Sequence, residues 1–311
     1  MIRFSALARD ASAWGHALDT VEIPVLRRTI EELALLRRRE DEVIARDIAR
    51  VLLHDPMFTL RVLRYLQAHR RATQTTDITT VEHALMMLGI TPFFEHFADL
   101  PAVESTLEGQ PLALAGLMRV ASRAHHAALY AHDWAVLRHD LRADEVAIAA
   151  LLHDLAEILV WCFAPDMSLQ IAAMLSADRS LRSGAAQAEV LGFRLAELQG
   201  LLISQWKLAA LLQSLMDDMH ATHPRVINVV LAVNLARHSA LGWENVALPD
   251  DYAALQAFAK LPPAEAAARI RRVALQAETA RDWYHQDGAP IPEDLASRFR
   301  GIQDCAKSDD S

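Results

Sequence analysis

Residues 144–163 read DEVAIAALLHDLAEILVWCF, and Pro165 follows two positions later. The run is mostly apolar, the length is that of a globular helix, and the proline cannot continue it, so the stretch predicts an amphipathic helix. Two polar residues, His153 and Asp154, sit in its middle, where burial without partners is costly.

Working outward, the rest of the chain repeats this helical character. Ala, Leu, Arg and Glu abound, aromatic residues make up 6% and there are only 10 glycines in 311 residues. That composition favours helix over strand, and no period-2 alternation or solenoid repeat interrupts it. Helices are expected over Val25–Arg39 with Pro24 at the start, Glu42–His54, a further one capped by Asp55 with Pro56 in its first turn, and one carrying Ala84–Leu88. The last has Thr79 and Glu82 as a capping box and Gly89 as its stop. Further helices are expected over Leu117–Leu137, Leu169–Leu175, Ala185–Gln205, Leu208–His220, Val226–Ala240 and Pro263–Trp283, with a loop over Leu241–Asp251.

The fold class is therefore all-α, a two-lobed helical array. Residues 1–20 read as an N-terminal extension and 21–245 as the main module, with lobes of about 21–110 and 111–245. Residues 246–311 form a C-terminal helical extension and polar tail.

The formal net charge of −9 argues against a broad nucleic-acid footprint. The cluster Arg27, Arg28, Arg37, Arg38 and Arg39 is interleaved with leucines and reads as a solvated helix face. Residues 1–20 lack the apolar run of a signal peptide, and neither nucleic acid nor membrane is expected as a partner. Two cysteines, Cys162 and Cys305, suggest no disulfide framework; a reducing, cytoplasmic compartment fits.

The chemistry on offer is that of His153 and Asp154. Imidazole and carboxylate ligate divalent metals, which turn bound water into a nucleophile for phosphoester hydrolysis. Adjacent helical residues point about 100° apart, so the doublet needs ligands from elsewhere. Upstream stand His125, His126 and His132, downstream His220 and His223. Read alone, the doublet fits a structural role better, with the histidine bonded to a carboxylate or carbonyl and the aspartate capping or paired.

In order, Ile23-Pro24, Asp55-Pro56, Ile78 to Gly89, Leu151-Leu152-His153-Asp154, Glu189 to Gly192 and Ser204 to Leu208 resemble the HDOD family, the HD-related output domain, over about residues 20–240. The resemblance implies an HD-domain, phosphodiesterase-like scaffold used as a regulatory module in bacterial signal transduction. In its catalytic relatives the ligands are an early histidine, the His-Asp doublet, later histidines and a final aspartate. Here the early position falls on His125 or His126, or on Ser122. After Gly192 come Phe193, Arg194 and Leu195; near the last position stand Val233 and Asn234; Ala156 replaces a glycine after the doublet.

The resemblance thus implies a non-enzymatic module with no catalytic residues and no expected cofactor, acting through a protein partner or a small ligand. No sensor or receiver segment is expected within the chain. The alternative is a metal-dependent phosphohydrolase or phosphodiesterase holding a divalent metal on an incomplete set drawn from His125, His126, His153, Asp154 and His220.

Overall fold

A computed structural model describes residues 4, 9–69, 81–178, 180–208, 210–216, 222–240 and 242–284. Among these the chain is helical throughout, with no strand beyond one isolated bridge. The helices are α1 (Ala11–Thr20), α2 (Arg27–Arg37), α3 (Ala45–Leu52), α4 (Pro56–Ala68), α5 (Val81–Leu88), α6 (Ile90–His96), α7 (Val103–Thr106) and α8 (Pro111–Leu137). There follow α9 (Ala143–Leu152), α10 (Leu155–Phe163), α11 (Pro165–Ala177), α12 (Ser183–Leu191), α13 (Leu195–Gln205), α14 (Ala210–Leu215), α15 (Pro224–Ser239), α16 (Leu248–Ala259) and α17 (Pro263–Glu278).

Helix α2 starts later than the proline suggested. Val25 spends its backbone on the bridge to Ala102, with its N–H donating to Pro101 O (2.8 Å) and its carbonyl accepting from Val103 N (2.8 Å). Leu26 is consequently the N-cap, and the carboxylate of Glu104 receives Arg27 N at 2.9 Å in place of a local cap. Helix α3 begins at Ala45 rather than Glu42 because residues Glu40–Glu42 form a 3-10 turn and Asp47 reaches back to accept from Ile44 N (3.2 Å). The Thr79 part of the expected capping box lies outside the described residues.

Asp55 caps α4 as expected, accepting from Met57 N and Phe58 N at 3.0 Å. Its second oxygen accepts from Leu26 N (2.7 Å) and from the Thr29 hydroxyl (2.8 Å), so one carboxylate ties the first turns of α2 and α4 together. Both Asp55 and Thr29 are 0% exposed. Burial pushes the Asp55 carboxyl up from its ordinary value while its four donors pull it down.

The expected helix over Ala185–Gln205 is two helices. Gly192 ends α12 with φ +89°, and a Cβ there would lie 2.4 Å from Cβ of Arg9 and 2.8 Å from its carbonyl oxygen. Only glycine allows both the left-handed backbone and that close approach. Helices α1, α6, α7 and α16 were not foreseen: α1 is capped by Asp10, α6 starts directly after Gly89 at φ +88°, and α16 begins within the last four residues of the expected loop, with Pro249 in its first turn.

By Cα packing the chain divides into two compact units, residues 1–121 with 154–213, and residues 122–153 with 214–311. In the first, α3 packs on α2 and α5, and α4 on α5, around Phe58, Phe93 and Phe97, with ring centroids of Phe58 and Phe97 5.3 Å apart at 88°. In the same unit α13 packs on α1 and α10, where Trp14 meets Phe193 edge-on at 5.5 Å and Phe4 at 5.4 Å. The second unit is built on α15, which packs against α9 and α16, with α17 on α16 and the Tyr130–Trp134 stack in its core. The run Ala143–Phe163 is long and apolar enough to cross a membrane; 78% of its most apolar window is buried inside the protein, the mark of a core segment.

Asp55→Ala removes one helix cap and strands two further buried donors. We expect a loss of about 3 kcal/mol or more in chemical denaturation, with Asp55→Asn falling between the variant and the parent. A loss under about 1 kcal/mol would mean that water replaces the carboxylate.

Candidate functional site

The doublet does not lie inside one helix. His153 is the C-cap residue that follows α9, its N–H on Ala150 O at 3.4 Å, and Asp154 precedes α10 with φ −97° and ψ 25°. Both residues are half-buried. Asp154 occupies the N-cap position of α10, but its side chain makes no capping bond; its carbonyl accepts from Ile158 N (3.2 Å). The free amide of the first turn is served instead by Gln199, whose Oε1 accepts from Ala156 N at 2.7 Å in a buried contact. Gln199 was missed in the sequence, although a glutamine between Leu198 and Leu202 on an otherwise apolar helix face is the available signal.

The other candidates are scattered in their employment. His125 and His126 follow each other on α8, so their rings diverge, with centroids 6.5 Å apart at 64°. His125 is 4% exposed, its ring 6.0 Å from that of Tyr284, and His126 is half-buried. His132 pairs with Asp144 at 3.3 Å; the bond to Asp144 raises its pKa against the opposing effect of burial. His223 caps α15, its Nδ1 accepting from Arg225 N at 3.3 Å. His220 lies outside the described residues.

Of the residues that stand where the family resemblance looks for later ligands, Phe193, Arg194 and Leu195 and then Val233 and Asn234, two are apolar and built into cores. Phe193 is 4% exposed and held edge-on by Trp14; Val233 is 3% exposed on α15. Among the described residues no three His, Cys, Asp or Glu side chains are grouped so that they could hold a metal ion.

The strongest electrostatic feature beside α9 is structural. Arg225 donates through Nε to Asp140 (2.6 Å) and through Nη1 to Glu145 (3.2 Å), clamping the start of α15 onto the turn before α9. Glu145 is 4% exposed and faces that guanidinium and Arg142 at 3.7 Å. Arg225 holds the Asp140 carboxyl below its ordinary range, with partial burial opposing.

Arg225→Met should cost about 3 kcal/mol, because it leaves carboxylates behind in a poorly solvated place. A carboxyl with a lowered folded-state pKa contributes stability above the ordinary carboxylate range, at about pH 4, and loses it as pH falls through the folded value. The parent should therefore lose stability more steeply than the variant on acidification below about pH 4. Parallel acid limbs in urea titrations would disconnect Asp140 from the clamp.

Residues 23–222 match the family model described as HDOD domain. Among solved structures the chain is similar to a virulence factor from Campylobacter jejuni subsp. jejuni, with a TM-score of 0.63 and 16% identity over 86% of this chain and 99% of that one. It is also similar to the MmoQ response regulator from Methylococcus capsulatus str. Bath, with a TM-score of 0.55 and 17% identity over 86% of this chain and 99% of that one. At such identities the likeness is one of fold. No curated protein matches the chain significantly.

Proposed function

This chain belongs to the HDOD family, and on that premise we propose that it is a non-enzymatic module of cytoplasmic signal transduction, working by binding a protein partner or a small ligand on a phosphohydrolase-type scaffold. The observation that carries this reading is Phe193. Where an active relative would offer another histidine the chain has Phe193, Arg194 and Leu195, and the first of these is an apolar ring held edge-on by Trp14, within a cluster that includes Phe4. Val233 repeats the pattern on α15.

Around the doublet, function has given way to framework. Gln199 meets the first-turn donor of α10, and the doublet divides what would be one apolar rod into two helices. A regulatory module needs a scaffold of this kind and no reacting centre. Its one described cysteine, Cys162, suits a reducing compartment: burial pushes the thiol up to about 12, so it behaves as an inert apolar group. One structural relative, MmoQ, is a response regulator, which is a setting of the same kind.

The reading is tested by elemental analysis of the purified chain and of His153→Ala, beside hydrolysis of bis-p-nitrophenyl phosphate with added manganese. We expect no stoichiometric metal that depends on His153, and no His153-dependent turnover. Metal present at one or two ions per chain, lost together with hydrolysis in the variant, would establish the metal-dependent phosphohydrolase instead.

A further inference from the structure

Helices α15 to α17 and the turn after them lie beyond the span that the family model matches, which ends at residue 222. They belong to the second packing unit together with the C-terminal part of α8. The seat of α17 is firm. Ile270, Val273 and Ala274 are 3% exposed or less, and Asp133 of α8 accepts from Arg269 Nη1 at 2.9 Å and also from Arg272. An apolar seam beside a carboxylate that serves two guanidinium groups is a strong attachment.

The end of the same segment is built differently. Thr279 closes α17 with its hydroxyl on Gln276 O (2.7 Å), and the chain then tightens into a 3-10 turn over Arg281–Trp283. Trp283 N donates to Ala280 O at 3.1 Å and Tyr284 N to Arg281 O at 3.0 Å. Hydrogen bonds between residues three apart have poorer geometry than those of an α-helix. An ion pair at the outer limit of contact, Arg281 to Glu278 at 4.0 Å, spans the junction of helix and turn.

At the tip of this turn stands Tyr284, 9% exposed, its ring 6.0 Å from the imidazole of His125 at 41°. His125 is itself 4% exposed and sits on α8, about 12 Å along the helix from Asp133 at the usual rise per residue. One helix thus carries both contacts, a strong one to the body of α17 and an aromatic one to the turn that follows it.

We propose that residues 279–284 form a lid over His125, hinged where α17 ends, and that local unwinding of the 3-10 turn sets access to this imidazole while α17 keeps its hold on Asp133.

The energetics favour that route. Opening the turn uncovers little beyond the Tyr284 ring and the imidazole beneath it, whereas unfolding the unit uncovers its whole core. The local opening therefore lies far lower in free energy, and burial of the two rings keeps the closed form dominant. His125 is one of the residues on which the family resemblance places an early ligand, and its accessibility is governed here by a segment outside the family match. Any metal ion, electrophile or carboxylate that needs this imidazole has to await the opening. The lid stands or falls independently of whether the chain hydrolyses a phosphoester.

The test is carbethoxylation of the full chain by diethyl pyrocarbonate, read histidine by histidine by peptide mass spectrometry, with exposed His16 as the internal reference. We expect His125 to react about tenfold more slowly than His16, at a rate nearly flat in urea up to the onset of global unfolding, as for an opening that uncovers little surface. Tyr284→Ala should speed the reaction of His125 about tenfold and leave that of His16 unchanged. The near-ultraviolet circular dichroism of the Tyr130–Trp134 stack reports whether the unit stays folded in the variant. His125 reacting as fast as His16 in the parent overturns the lid, and so does protection that persists in a folded Tyr284→Ala chain. A His125 rate that climbs with urea in step with global unfolding also overturns it, and this measurement on the parent decides the matter if Tyr284→Ala loses the signal of the stack.

Discussion

A single buried carboxylate sets the geometry of the N-terminal helices. Asp55 receives Leu26 N and the Thr29 hydroxyl on one oxygen and Met57 N and Phe58 N on the other. Helix starts present donors that nothing within the helix can satisfy, and here two starts share one acceptor group. The arrangement fixes how α2 meets α4, and Phe58, on the first turn of α4, then places the aromatic cluster of Phe93 and Phe97. The bridge between Val25 and Ala102 adds a second tie to the same entry segment.

How much of this was legible in the sequence depended on whether the cause was local. Asp55-Pro56 announced its cap, and α8, α15 and α17 follow from periodicity, proline placement and apolar content. The late start of α2 did not, because Val25 is drawn away by residues some 80 positions further on, and neither did the break at Gly192, whose need for glycine comes from Arg9. The second partner set of Asp55 was equally hidden. The linear reading divides the chain in order, whereas the packing units draw on separated segments, with residues 154–213 joining 1–121.

For the candidate site, the sequence identified the residues but not their arrangement. His153 and Asp154 attract notice as polar residues in an apolar run, yet nothing in their spacing says that they divide it into two helices or that Gln199, 43 positions beyond Ala156, would take over a capping duty. His223 likewise reads as a candidate ligand until its ring is found capping α15.

Helix α1 carries a consequence for where the folding unit begins. The family match starts at residue 23, but Trp14 and Leu18, each 1% exposed, belong to the core, and Gln205 and Trp206 donate hydrogen bonds to Gly15 O and Asp19. A chain started at the boundary of the match would lay bare Phe193 and the indole edge of Trp206 together, an adhesive surface in place of a finished one. The homologous span is thus smaller than the cooperative one. By its burial and its hydrogen bonds α1 is part of the core of that unit.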